Sequence, residues 1–185
     1  MAQENIKVRI KKMTEYAVLP SYAHDGDACM DLTAIHMEYN AEKDYYVYHT
    51  GLKIELPEGT KLSIKPRSSN RDTDCYIPNT PGTVDASYRG EILVIFKPRT
   101  SIKNKVLLHI LKDIVGMKRK KAEWYLFQKY SDDAIYKYAM ENAPYKVGER
   151  VAQCEVVNVT KVEWEEVTNE LSETDRGEGG FGSSN

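Results

Sequence analysis

Three short segments hold residue types suited to phosphate and nucleoside chemistry. The C-terminal segment reads Arg176-Gly-Glu-Gly-Gly-Phe181-Gly182-Ser183-Ser184-Asn185. Glycines let backbone amides approach an anion closely, and serine hydroxyls add further donors. Arg176 offers a planar fork of N–H groups matched to a terminal phosphate. Phe181 stands in a glycine segment with no core to join, and a ring there could stack on a nucleobase. The same composition also describes an ordinary flexible terminus. The second segment is Pro66-Arg67-Ser68-Ser69, a turn presenting amides and two hydroxyls, which suits phosphate but equally suits a plain turn. The third is 82–90, Gly-Thr-Val-Asp-Ala-Ser-Tyr-Arg-Gly. An acidic Asp85 on a tight loop beside Tyr88 could place a water and a sugar together. The alternative is a hairpin turn with a solvated carboxylate.

These segments need a frame. Short β-rich runs recur at 6–10, 30–35, 45–48, 52–56, 61–65, 76–77 and 92–96. Turn signals such as His24-Asp25-Gly26-Asp27 and Asn79-Thr80-Pro81-Gly82 divide them. Many short strands broken by Gly, Pro and Asp predict an all-β sandwich or jelly-roll barrel rather than βαβ units. Between 99 and 143 the character changes. Val106, Leu107, Ile110, Leu111 and Ile114 recur at helical spacing, and 118–142 carries Trp124, Phe127, Tyr130, Ile135 and Tyr138 at similar intervals. Gly116 is expected to separate two helices. Two further strands are expected at 150–157 and 161–167, followed by a mobile arm from 169. The organisation read from this pattern is a first core part at 1–98, helices at 99–143, a second core part at 144–168 and an arm at 169–185.

Bulk properties exclude several classes. The chain has 185 residues, 41 % hydrophobic and 29 % charged, with a net charge of −2. That balance gives no electrostatic pull toward nucleic acid, and direct nucleic-acid binding is not expected. No apolar run is long enough for a bilayer, so no membrane partner is expected, and the N-terminus lacks the pattern of a signal peptide. Cys29, Cys75 and Cys154 show no paired spacing, which fits a reduced cytoplasmic interior. His24, His36, His49 and His109 are scattered, and no pair stands at metal-ligand spacing, so no zinc site is expected.

Taken together and in order, five segments resemble the five motifs of the trimeric dUTPase family. They are Asp27-Ala-Cys-Met-Asp31-Leu32, Pro66-Arg67-Ser68-Ser69, 82–90, Gly148-Glu-Arg-Val-Ala-Gln153 and the stretch from Arg176 to Ser184. The resemblance implies a jelly-roll of the β-clip type with a flexible C-terminal arm. It implies hydrolysis of dUTP to dUMP and pyrophosphate, with Asp85 activating a water that attacks the α-phosphorus. Asn79, Gly82, Thr83 and Val84 would form a hairpin slot for uracil, Tyr88 would pack on the deoxyribose, and Phe181 would close over the base. Arg67, Ser68, Ser69 and Gln153 would face the phosphates, and Arg176, Gly182, Ser183 and Ser184 would close over their far end. One Mg²⁺ is implied, with Asp31 reaching it through a water. A homotrimer is implied, each site drawing on three chains. The chain departs from the family pattern at Cys29 (usually Gly), Ser69, Ser87 and the Ser184-Asn185 ending. Cys29 puts the local backbone angle in question. A dCTP deaminase shares this fold, but the Gly-Phe-Gly tail and the Asp85–Tyr88 spacing point away from it.

Against the family pattern, the helical segment 99–143 is extra. Lysines and an arginine at 118–121, together with Trp124, Tyr125, Phe127 and Tyr130, make it basic and aromatic. It is either a decoration packing a small core of its own or a docking surface, since aromatic residues are enriched where proteins meet. Insertions of this kind resemble those of staphylococcal phage dUTPases, some of which bind a repressor of mobile pathogenicity islands. A repressor partner through 99–143 is therefore a second expectation, and the site of action would be the host cytoplasm if the gene is phage-borne.

Overall fold

The computed structural model of the chain describes residues 6–175 and residue 177. Elements are numbered in chain order. β1 (Arg9–Lys12) pairs antiparallel with β5 (Leu52–Glu55). A four-stranded antiparallel sheet has the order β2 (Met30–Thr33), β10 (Arg150–Asn158), β6 (Thr60–Lys65), β8 (Gly82–Asp85). A second has the order β3 (His36–Asn40), β4 (Tyr45–His49), β9 (Leu93–Pro98), β7 (Cys75–Tyr76). The body is mostly β, as the turn-rich pattern predicts. Among the described residues the strands form three sheets, with no hydrogen-bonded ring closing them into one barrel.

Side-chain alternation decides which face of each strand is buried. Along β3, Met37 and Tyr39 point inward while His36 and Glu38 are exposed. Along β9, Val94 and Phe96 are buried between exposed Leu93 and Lys97. Tyr46, Tyr48 and Phe96 are fully buried. The Tyr48 and Phe96 rings meet edge-on, with centroids 5.6 Å apart, the geometry their quadrupoles favour. Burial pushes both tyrosine hydroxyls above their ordinary pKa, so they stay neutral donors. Each has a partner: Tyr46 donates to the Ala139 carbonyl at 3.1 Å, and Tyr48 to the Tyr145 carbonyl at 2.8 Å.

The segment after β9 holds three helices, not two: α1 (Ile102–Ile114), α2 (Arg119–Lys129) and α3 (Asp132–Glu141). Gly116 does separate the first pair, at φ 84°. The unexpected break lies at Ser131, whose side chain accepts the Ala134 N–H at 3.2 Å. Asp132 and Asp133 then sit in the first turn of α3, where the helix dipole favours negative charge. Ile102, Val106 and Ile110 of α1 and Ile135 and Ala139 of α3 are buried in the same core as the strands. α2 has no buried residue.

Two strands escaped the sequence pattern. β3 has only Met37 and Tyr39 as apolar residues, and β8 begins at a glycine and was expected as a loop. One expected strand is absent: 161–167 is not a strand. Val162, Trp164 and Val167 are 66 %, 90 % and 49 % exposed, and no strand lies alongside them among the described residues. A strand needs a hydrogen-bonding neighbour, whatever its side-chain pattern.

Tyr48 gives a stability test. Its hydroxyl also accepts the Tyr145 N–H at 3.1 Å. Tyr48→Phe strands that buried N–H and carbonyl together, and should lower unfolding free energy by about 1–3 kcal/mol in urea titrations at fixed protein concentration. An unchanged midpoint would mean that this pair does not tie 143–145 to the core.

Candidate active site

The 66–69 and 148–153 segments meet around Asp31. β10 pairs with β2 so that Gln153 lies opposite Asp31, and with β6 so that Gln153 lies opposite Lys65. Cross-strand partners share a face, so Asp31, Gln153 and Lys65 emerge together. Arg67 stands one residue beyond the end of β6, after Pro66, and donates through Nε to Asp31 Oδ1 at 2.7 Å. Arg150 donates through Nη1 to Asp31 Oδ2 at 3.0 Å. One carboxylate therefore holds two guanidiniums, and the trio alone carries a net positive charge, although Asp72 and Glu149 line the same depression. The Asp31 side chain is only 15 % exposed, which shields it from the screening that weakens surface pairs. Gln153 Nε2 donates to the Pro66 carbonyl at 2.9 Å and fixes the turn before Ser68. Ser68 and Ser69 open a short 3₁₀ helix, Ser68–Asp72. Arg67, Ser69, Gly148, Glu149 and Arg150 line one polar depression. Arg150 was not singled out from the sequence. Its place in the fourth segment was visible, but its contact with Asp31 depends on strand register.

A narrow cavity lies on the opposite edge of β6. Asn79, Gly82, Thr83 and Val84 line it with Ile64, Ile77 and Ile95. Gly82 pairs with Ile64 in β6, and a Cβ at residue 82 would lie 3.4 Å from the Ile64 Cβ. Asp85 is the last residue of β8 rather than a loop residue, and it is exposed. The chain then turns: the Tyr88 N–H donates to the Asp85 carbonyl at 3.0 Å, and the Tyr88 hydroxyl to the Glu91 carbonyl at 3.1 Å. The Tyr88 ring lies directly over Gly90, where a Cβ would overlap it. β8 pairs with β6 and not with β9, so 82–90 is a strand followed by a turn and not the expected hairpin, and Asp85 and Tyr88 stand at the two ends of that turn's first hydrogen bond.

The two halves do not meet within one chain. Asp85 pairs with Lys61, whereas Gln153 pairs with Lys65 on the other side of β6. At ~3.3 Å per residue along β6 and ~4.8 Å per strand across it, Asp85 and Gln153 are ~16 Å apart. Arg176, Phe181, Gly182, Ser183 and Ser184 lie outside the described residues.

A dUTPase family profile matches residues 15–106. A deoxyuridine 5'-triphosphate nucleotidohydrolase of Alkaliphilus metalliredigens is 37 % identical over 177 residues, covering 95 % of both chains. The chain belongs to the dUTPase family. Its fold is also that of phage dUTPases. A point mutant of the Staphylococcus bacteriophage 80alpha dUTPase, solved with dUpNHpp, superposes with a TM-score of 0.63 at 21 % identity, covering 96 % of this chain and 98 % of that one. A point mutant of the dUTPase from phage phi11 of S. aureus, described as coordinating a structural Mg(II) ion, gives 0.58 at 19 % identity, covering 88 % and 97 %. With the Alkaliphilus dUTPase matched over 95 % of both chains, the comparison does not set 99–143 apart as an addition.

One departure from the dUTPase pattern is resolved by the backbone. Cys29 is not among the residues with positive φ, so nothing there demands glycine. Its thiol lies 3.8 Å from Glu155 Oε2, and Glu155 also pairs with Lys65. Burial, and then the Glu155 charge, push the Cys29 thiol above its usual pKa.

Gly90→Ala tests the Tyr88 placement. The added methyl should push the ring off residue 90 and break its hydrogen bond to Glu91 in a crystal structure of the variant. An unmoved ring would contradict the tight packing assigned to this turn.

Proposed function

We propose that this chain is a dUTP diphosphatase, hydrolysing dUTP to dUMP and pyrophosphate as a homotrimer. The observation that carries the reading is the convergence of Asn79, Gly82, Thr83 and Val84 on one cavity, with Asp85 exposed at the end of the strand that lines it. Membership of the dUTPase family supports the same substrate. The ~16 Å between Asp85 and Gln153 supports a site assembled from different chains.

In this reading backbone groups of 82–84 pair with the uracil edge. Cytosine reverses part of that donor–acceptor pattern and leaves buried groups unpaired, at about 1–3 kcal/mol each. Tyr88 packs on the deoxyribose and leaves no room for a 2′-hydroxyl. Asp85 accepts a proton from a water as that water attacks the α-phosphorus in line, and pyrophosphate departs. Arg67, Ser68, Ser69 and Gln153 of another chain hold the phosphates, and Arg150 adds positive charge beside them. Arg176, Ser183 and Ser184, with Phe181 and Gly182, close the site from a third. Most of the rate gain is positioning and charge stabilisation.

Asp31 does not fit as a direct ligand for Mg²⁺, because each oxygen already accepts from a guanidinium. Each oxygen keeps a lone pair for a metal-bound water, and Mg²⁺ commonly binds through waters and substrate phosphates. The ion would supply charge neutralisation along the triphosphate, with Asp31 as an outer anchor.

A second role is favoured by one observation. α2 has no fully buried residue: Tyr125 and Leu126 pack partly against the core, while Trp124 and Phe127 are 62 % and 82 % exposed. This face suits a protein partner such as a transcriptional repressor. Deleting 99–143 would remove Ile102, Val106, Ile110, Ile135 and Ala139 from the core, so Trp124→Ala with Phe127→Ala is the cleaner variant. Loss of repressor capture with hydrolysis intact is the expected result, and unchanged capture would rule this face out. The described residues include no helix long and apolar enough to cross a membrane.

The enzymatic reading predicts pyrophosphate release from dUTP with Mg²⁺, and little from dCTP, dTTP or UTP. Asp85→Asn should lower kcat by about 10²–10⁴-fold. Ammonia release from dCTP, or an Asp85→Asn enzyme with full turnover, would contradict it.

A further inference from the structure

The sheet that carries β3 and β4 holds a second cluster of donor atoms, unconnected with phosphate. Spacing along the chain separates the histidines, but strand register brings two together. β3 and β4 pair with His36 directly opposite His49, and the ring centroids are 5.3 Å apart. Glu38 stands on the same face of β3, where alternation places it. One donor atom from each of His36, Glu38 and His49 lies within 4.8 Å of the others.

His49 is oriented for ligation. Its Nδ1 is 3.0 Å from Glu91 Oε2. A carboxylate only accepts, so Nδ1 carries the hydrogen, and in the neutral ring Nε2 is left with the lone pair. Glu91 is itself fixed, because Oε1 accepts the Gly51 N–H at 2.7 Å and the side chain is 18 % exposed. His49 Nε2 is buried and has no hydrogen-bond partner among the described residues. Its distance to Glu38 Oε1 is 3.9 Å. That is too long for a hydrogen bond, yet near the spacing of two donors on one ion. A tetrahedral ion with bonds of ~2.0–2.1 Å sets its donors ~3.4 Å apart. The His36 and Glu38 side chains are on the exposed face of an edge strand, and small rotations close the difference.

We propose that His36, Glu38 and His49 bind a divalent transition-metal ion of the zinc class, with Glu91 holding His49 in the ligating tautomer. Two imidazole nitrogens and one carboxylate oxygen match the donor preference of Zn²⁺ and not that of Mg²⁺. The carboxylate behind the histidine is the arrangement that fixes ring orientation and raises ligand basicity at such sites. Solvent reaches the fourth coordination position from the exposed side of β3. The Glu91 carbonyl also accepts the Tyr88 hydroxyl, so the ion and the 82–90 turn share one anchor.

Titration of metal-free protein with ZnCl₂, by calorimetry and by competition with a chromophoric chelator in excess Mg²⁺, tests this. One Zn²⁺ per chain should bind. His36→Gln and Glu38→Gln, both surface changes, should each weaken binding at least ~tenfold, and Glu91→Gln by about 10–100-fold. His109→Gln should leave zinc affinity unchanged, and His36→Gln and Glu38→Gln should leave Mg²⁺-supported dUTP hydrolysis unchanged. Absence of stoichiometric zinc uptake by the wild-type chain would overturn the proposal. So would zinc affinity that His36→Gln and Glu38→Gln do not move.

Discussion

β6 is hydrogen-bonded on both edges, and its register governs which side chains of one chain are able to meet. On one edge β8 places Asp85 beside Lys61; on the other β10 places Gln153 beside Lys65. Antiparallel ladders allow no gradual slippage, since a shift by one residue would turn Leu62 and Ile64 out of the core. The Asp85 end of β8 and the arginine end of the sheet are thus held apart by the same packing that stabilises it. Association of several copies is the economical way for such a chain to complete a site.

The arginine end has its own logic. Two guanidiniums around one carboxylate are oriented by it and still carry excess positive charge, so they are pre-set for an anion without further reorganisation. The cost of holding like charges close is met by Asp31, whose low exposure strengthens both contacts. Along β8 and the turn after it the determinants are mostly shape and backbone. Gly82 and Gly90 leave room for close approach, and the Tyr88 ring occupies the space over residue 90. In the proposed site, charge selects the phosphate half of the nucleotide and steric fit the base and sugar half.

Much of this was legible in the sequence, and the limits are physical. The order of the five segments pointed to the family, and the turn-rich alternation to a β body. Asn79, Gly82, Thr83 and Val84, which the resemblance assigns to a uracil slot, line one cavity. Arg150 and the pairing of His36 with His49 were not legible, because both contacts depend on which strands are neighbours. Helical periodicity ran through Ser131 without marking the cap, since apolar spacing on α2 and α3 happens to continue in phase. The run at 161–167 has the alternation of a strand, but alternation does not report whether a neighbour is present. The helical segment 99–143 read either as a decoration with a small core of its own or as a docking surface, whereas Val106, Ile110 and Ile135 share the core of the strands.

Subunit mixing addresses most directly the claim that catalysis requires groups from different copies. Asp85→Asn and Arg67→Ala chains, each nearly inactive alone, would be unfolded together, refolded as an equimolar mixture and assayed for pyrophosphate release from dUTP. If Asp85 and Arg67 of one site come from different chains, random assembly restores both groups in about a quarter of the sites, and activity returns to that level. A mixture as inactive as its two components would place both groups of each site in the same chain and contradict the account.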